Sequence, residues 1–202
     1  MNTHSSGYYS IDEEYTIIGM QVQEQGLTTV MEIEPEVYEN PYIYGSPLHL
    51  IRAMMNIYSN CIKYNKENGE IRTHVRLLHS DEKILTYQWT ISDTGIGISE
   101  DYLSRIFEPF TQEGTDARSV YQGTGLGMSI AKALFEQMGG NLEVFSKLGE
   151  GSTFVITLPF ERAQELKTTV IEKTEGESIQ DIKILLAEDN ELNPVSYTHL
   201  TL

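Results

Sequence analysis

Asp93, Gly95 and Gly97, in the segment ISDTGIGI, close an apolar run that reads as a strand. A carboxylate there can accept a hydrogen bond from the exocyclic amine of a base, while the glycines let a ligand approach backbone that a Cβ would screen. Further on, Gly123, Gly125 and Gly127 of QGTGLGMSIAKAL lead directly into a helical pattern. The first amides of a helix lack intrahelical acceptors, and with the positive end of the helix dipole they suit phosphate oxygens. A third group lies upstream. With Asn56 set at zero and 100° per residue, Asn60 falls at about 40°, Lys63 at about −20° and Tyr64 at about 80°. Two carboxamides, an amine and a phenol thus share one side of one helix. Taken singly, each group also has a plainer reading: DTGIG as a tight turn, the glycines as an ordinary helix-leading turn, the polar face as simply solvated.

Holding these groups requires a set of elements whose signals alternate along the chain. Ile11, Tyr15, Ile18 and Val22 recur at helical spacing before Gly26, which predicts a short amphipathic helix over 11–25. LTTVMEIEP (27–35) and Tyr42 to Tyr44 predict strands. Ser46 stands as an N-cap with Pro47 in the first turn of a helix running to about Tyr64, and Leu48, Ile51, Met55, Tyr58 and Ile62 predict its sheet-facing side. IRTHVRLLHS and KILTYQWTISD predict a hairpin, and Ser99 caps a helix carrying Tyr102, Leu103 and Ile106. Residues 111–127 have neither period and read as a long loop. Helical spacing returns from Leu126 to Met138 and stops at Gly139-Gly140, after which NLEVFSKLGEGSTFVITLPF predicts two strands around a glycine turn.

Composition narrows the partners. Thirty acidic residues against 14 basic ones give a formal charge of −16, which disfavours attraction to nucleic-acid phosphates. ATP is not excluded, because backbone amides, a local cation and a metal can hold a nucleotide. No apolar run approaches the roughly 20 residues of a membrane span, and MNTHSSGYYSIDEEY lacks a basic start and an apolar signal core. A single cysteine, Cys61, forms no internal disulfide, which fits a reducing cytoplasm.

Together the segments resemble the ATP-binding catalytic domain of sensor histidine kinases, in the superfamily that also holds gyrase B, Hsp90 and MutL. The resemblance covers about residues 26–160: NIYSNCIKYNKENGEI is similar to the asparagine box, DTGIGI to the first glycine box, IFEPF to the phenylalanine box, GTGLGMSI to the second glycine box and GEGSTF to the turn after it. Gyrase and Hsp90 relatives carry a glutamate one helical turn before the box asparagine. This chain has Asn56 there, which favours a kinase over an ATP-hydrolysing clamp, as does IFEPF. The implied fold is α+β: a two-layer α/β sandwich of the Bergerat ATP-binding type, a mixed sheet covered on one face by helices.

The resemblance implies roles for the matching positions. Asn60 would bind Mg²⁺ through its carboxamide oxygen, with Asn56 nearby placing metal or phosphates. Lys63 would neutralise phosphate charge and Tyr64 would pack on the adenine, while Asp93 reads the adenine amine beside Gly95 and Gly97. Residues 111–124 would form a mobile ATP lid, with Gly123, Thr124, Gly125, Leu126 and Gly127 closing on the phosphates. Phe107 and Phe110 stand at the lid hinge, with gating and plain core packing as equal readings. Arg118 reads as a solvated lid residue, with reach to a γ-phosphate as the alternative.

Such a domain positions ATP while a histidine ring attacks the γ-phosphorus in line. None of His4, His49, His74, His79 or His199 has the expected acceptor context, a histidine followed by an acid on a dimerising helix, so the resemblance places the acceptor upstream of residue 1. Residues 1–25 are then expected to end the dimerisation region or its connector, 26–160 to be the catalytic domain and 161–180 a linker. ILLAEDNELN, within 181–194, resembles the start of a receiver domain, with Glu188 and Asp189 as its early acidic pair. VSYTHLTL, at 195–202, departs from that pattern and resembles a translated sequencing adapter. Implied partners are ATP, Mg²⁺, a dimerisation and phosphoacceptor hairpin, and a receiver, in a homodimeric hybrid kinase whose membrane attachment is left open. The rival class is a non-catalytic module binding nucleotide or a partner, against which the full set of boxes weighs.

Overall fold

Alternate residues of Ile84–Asp93 are large and apolar, so a strand there buries one face: Leu85, Tyr87, Trp89 and Ile91 are buried, and the residues between them are half-buried. The computed structural model describes residues 7–10, 22, 24–40, 42–112 and 124–163. Its strands are β1 (Gly7–Ser10), β2 (Thr28–Ile33), β3 (Tyr42–Gly45), β4 (Glu70–Ser80), β5 (Ile84–Asp93), β6 (Asn141–Lys147) and β7 (Gly151–Arg162). The helices are α1 (Pro35–Glu39), α2 (Pro47–Lys63), α3 (Glu100–Leu103) and α4 (Gly127–Gln137). All these elements lie in one compact unit, Met1–Glu165; a second, Leu166–Leu202, falls outside the described residues.

The strands make one seven-stranded sheet in the order β1-β3-β7-β5-β4-β2, with β6 also paired to β7. Only β2 runs parallel to its neighbour, β4; the remaining pairs are antiparallel, so the sheet is mixed. At the β4–β5 turn, Asp81 Oδ1 accepts from the amides of Lys83 and Ile84, both at 2.7 Å. One sheet face carries Ile71, Val75, Trp89, Phe154, Ile156 and Leu158 into a core shared with α2 and α4. The other face is polar, with Arg76 on Gln88 and Ser92 on Thr153. The architecture is therefore the expected two-layer α+β sandwich. No described helix is long and apolar enough to cross a membrane.

Several local expectations need correction. The buried side of α2 is Leu50, Ala53, Met54, Ile57, Tyr58 and Cys61, and Leu48 is 67% exposed. Of the five residues expected to face the sheet, Tyr58 alone is fully buried, its hydroxyl 2.8 Å from Thr73 Oγ1, while Ile51, Met55 and Ile62 flank the core half-buried. The apolar arc of this helix is wider than the sheet can cover, and the sheet takes the half with the larger run of i, i+3, i+4 contacts. Ser46 occupies the N-cap position without a side-chain hydrogen bond. Pro35 opens α1 rather than ending β2, as suits a residue with fixed φ and no amide. His49 is half-buried, on the Asn56 side of the helix. The helix expected over 11–25 lies outside the described residues except for Val22, which is buried, and the exposed Glu24 and Gln25; Gly26 that follows has φ +68.

Candidate functional site

Asp93 ends β5 opposite Ser152 of β7 and Ile71 of β4. Its Oδ1 accepts from the Gly95 amide at 2.8 Å and the Ser152 amide at 3.3 Å. Burial pushes the Asp93 carboxyl above the usual range, against the opposing pull of these donors. Burial first, then the Asp93 carboxylate, pushes the Cys61 thiol well up.

The glycines of this loop are required by close approach. A Cβ on Gly95 would lie 2.3 Å from the Tyr64 carbonyl, which accepts the Ile96 amide at 3.0 Å. Gly97 has φ +69, and its Cβ would lie 2.0 Å from the Lys147 carbonyl. The loop after β5 is thus pressed between the end of α2 and the β6–β7 turn. Ser146 fastens it from that turn, accepting the Ile98 amide at 2.9 Å and donating to the Gly151 carbonyl at 2.7 Å.

On the other side of α2, the Asn56 amide nitrogen donates to the Arg52 carbonyl at 3.0 Å. Its Oδ1 lies 3.4 Å from where a Cβ on Gly127 would stand. Gly127 begins α4, whose N-cap is Leu126, a residue that supplies no side-chain acceptor to the first-turn amides. Asn60 sits one turn along from Asn56, half-buried. Lys63 Nζ lies 4.9 Å from the centre of the Tyr64 ring, and Tyr64 is 38% exposed.

Thr111 and Gly125 bring the two ends of the predicted lid together. The Phe110 amide donates to the Gly125 carbonyl at 3.0 Å, and the Thr111 carbonyl accepts from the Tyr102 hydroxyl at 3.2 Å. The two phenylalanines separate in role. Phe107 packs against the core with Lys132 Nζ 4.3 Å from its ring centre, whereas Phe110 is 76% exposed at φ +64. Gly123, Arg118 and the rest of 113–123 lie outside the described residues.

The structure therefore brings Asn56 to Gly127, and the Tyr64 carbonyl to Gly95 and Ile96, with Asn60 and Lys63 on the helix between. Thr124, Gly125 and Leu126 connect the lid base to α4. Cys61, Ser146 and Ser152 went unnoticed in the sequence as members of this group. Cys61 had a signal: it follows Asn60, so it points about 100° round the helix, toward the sheet. The crevice bounded by Ile43, Gly45, Ser46, Pro47, Leu50 and Phe160 shares no residue with this constellation. No cluster of three or more His, Cys, Asp or Glu suited to a metal occurs among the described residues.

Residues 45–162 match the family model described as histidine kinase-, DNA gyrase B- and HSP90-like ATPase. The autoinducer 2 sensor kinase/phosphatase LuxQ of Vibrio vulnificus is 36% identical over 176 residues, covering 85% of this chain and 20% of LuxQ. Hybrid signal transduction histidine kinase B of Dictyostelium discoideum is 35% identical over 150 residues, or 74% of this chain and 7% of its own. Full-length ShkA, solved in complex with AMPPNP, superposes with a TM-score of 0.63 at 26% identity, over 80% of this chain and 32% of that one. The chain thus spans a fifth or less of the curated relatives named here.

Proposed function

Because the chain belongs to the histidine kinase-, DNA gyrase B- and HSP90-like ATPase family, we propose that its site holds ATP for transfer of the γ-phosphate to a histidine on a dimerisation hairpin. The observation that carries this reading is Asp93. It is a half-buried carboxylate at a strand end, held by the Gly95 and Ser152 amides beside a glycine too tightly packed to bear a Cβ. Such an acceptor suits the exocyclic amine of adenine.

The residues present fit the nucleotide along its length. Tyr64 and Gly97 flank the base, and the uncapped first turn of α4 meets the phosphates beside Asn56. Asn60 and Asn56 offer hard carboxamide oxygens that would hold Mg²⁺ beside the nucleotide's phosphates. When bound, Mg²⁺ would supply charge neutralisation on the β- and γ-phosphates. Lys63 adds a local positive charge, and the clasp between Phe110 and Gly125 gives the lid a fixed base. The protein contributes positioning and electrostatics, and the attacking ring supplies the nucleophile.

Residues 26–160 are on this reading a catalytic domain acting in the cytoplasm, followed by a linker over 161–180 and the start of a receiver over 181–194. Likeness to hybrid kinases over most of the chain supports the receiver. The direct test is Mg²⁺-dependent ATP binding by the chain, then mixing with an isolated phosphoacceptor hairpin and γ-labelled ATP. Unchanged affinity in Asn60→Asp would overturn the metal assignment, and bound ATP without phosphohistidine would favour a non-catalytic module.

A further inference from the structure

Thr94 lies between Asp93 and Gly95, and the reading above gives it no part. Its hydroxyl is used twice: it donates to Asn65 Oδ1 at 3.1 Å and accepts the Glu70 amide at 2.9 Å. Its own amide donates to the Glu70 carbonyl at 3.1 Å. Asn65 directly follows Tyr64, the C-cap of α2. Asn65 Oδ1 also takes the Lys66 amide at 3.0 Å, and its Nδ2 donates to the Glu70 carbonyl at 3.3 Å, so both ends of the carboxamide are engaged. Gly69 closes the turn against it: a Cβ there would stand 2.2 Å from Asn65 Oδ1. One side-chain bridge thus joins the end of α2, the start of β4 and the loop after β5. Its two members adjoin Tyr64 and Asp93, the residues set beside the base above.

We propose that Asn65 and Thr94 form a positioning pair for base recognition: their bridge fixes Asp93 against the C-terminus of α2 and so sets where the carboxylate meets an exocyclic amine. The Ile96 amide on the Tyr64 carbonyl, at 3.0 Å, already pins this seam at one point. A single point leaves the loop free to pivot, and the bridge adds a second point on the Asp93 side. Thr94 is bonded to Asp93, so any shift of its backbone carries the carboxylate with it. A hydrogen bond to the amine depends steeply on distance and direction, whereas the phosphates are held at the far end of the site by α4. Loosening the bridge therefore acts on the base end. Thr94 suits the task because its branched side chain is stiff at χ1, and both residues are half-buried, where water competes less for their hydrogen bonds. This inference rests on Asp93 being the base acceptor.

The test compares Mg²⁺-ATP with the triphosphate of unsubstituted purine riboside, which lacks the exocyclic amine, on the full chain and on Thr94→Val, Thr94→Ser, Asn65→Ala and the Thr94→Val/Asn65→Ala double variant. Wild type should prefer ATP. Thr94→Val, which keeps the shape and removes the hydroxyl, should lose about threefold to tenfold in ATP affinity, the range of one hydrogen bond, with the amine-free analogue unchanged. Thr94→Ser should recover most of the loss, and the double variant should lose less than the sum of the two single ones. Should Thr94→Val fail to fold, the same comparison is read from Asn65→Ala, at a half-buried turn position. If the variants keep the full preference for ATP, the inference fails while the ATP reading stands. If both nucleotides weaken equally, the bridge is merely structural and the inference fails; additive losses in the double variant overturn the pairing. If wild type itself binds both nucleotides alike, the base-acceptor reading of Asp93 fails and takes this inference with it.

Discussion

The amide of Phe110 donates to the carbonyl of Gly125 at 3.0 Å, and both residues hold positive φ, 64° and 69°. For Gly125 this conformation is easy; for Phe110 it is strained, on the order of 1 kcal/mol. The strained residue is also the exposed one, so its ring gains little from burial. Phe110→Gly should therefore raise stability to chemical denaturation by about 0.5–1 kcal/mol. Gly125→Ala should do the reverse, since its Cβ would meet the Thr111 carbonyl at 2.7 Å besides the strained φ, at a cost of about 2 kcal/mol or more. If Phe110→Gly is neutral in stability but weakens ATP binding, the ring itself contacts nucleotide, and gating replaces strain as its role.

Asp93 should make the protein less stable at neutral pH than a neutral substitute would. Burial raises its folded-state pKa above the unfolded value, so its contribution to stability is fully present below the ordinary carboxyl range and is lost as pH rises through the folded pKa. Asp93→Asn keeps an oxygen for the Gly95 and Ser152 amides and removes the charge. Its melting temperature should exceed wild type at pH 7 and converge with it toward pH ~4. ATP binding should be lost in the same variant. Asp81 works in the opposite sense: hydrogen bonding from His79, then from the Ile84 and Lys83 amides, lowers its pKa, so its contribution is lost in acid. A melting difference that grows with acidification would contradict the assignment for Asp93.

Gly95→Ala tests the seam between α2 and the loop after β5. The added methyl would stand 2.3 Å from the Tyr64 carbonyl, and a main-chain atom at a helix end cannot rotate away. Overpacking of this kind costs about 1–3 kcal/mol, and it would displace Tyr64 together with its partner Ile96. Lower stability together with weaker ATP binding is the expected outcome, measured by denaturant unfolding and nucleotide titration. Wild-type stability with full affinity would show that the loop relaxes without cost and that close approach is not why glycine stands here.

Much of this site was legible because its residues carry strong local signals. Gly97, Gly125 and Gly139 all adopt positive φ, and each stands where a turn or helix end was expected. The strict alternation of Leu85, Tyr87, Trp89 and Ile91 announced the central strand. The packing face of α2 was not legible in the same way. Its apolar residues span more than half the helix circumference, and the choice between Leu48 and Leu50 is made by β4, β5 and β7, which are distant in sequence. Short elements also escaped: α1 has five residues and β1 four, too few for a period to emerge. Cys61 entered the sequence reading only as a lone thiol, because Asp93 lies on another element and no spacing rule links a helix position to a strand end.

Gly127→Ala separates the phosphate end of the site from the stability of the fold. Its Cβ would stand 3.4 Å from Asn56 Oδ1, an ordinary contact, and alanine is the better helix former by up to about 1 kcal/mol. Unfolding should therefore be unchanged or slightly harder. The methyl would nevertheless occupy the gap between the Asn56 carboxamide and the first turn of α4, where phosphate oxygens must approach the amides. Affinity for Mg²⁺-ATP should fall about tenfold, the equivalent of ~1.4 kcal/mol, while AMP, which has no β- or γ-phosphate, binds as to wild type. Equal losses for ATP and AMP would place the damage at the base end, and an unchanged ATP affinity would remove the α4 N-terminus from the phosphate site.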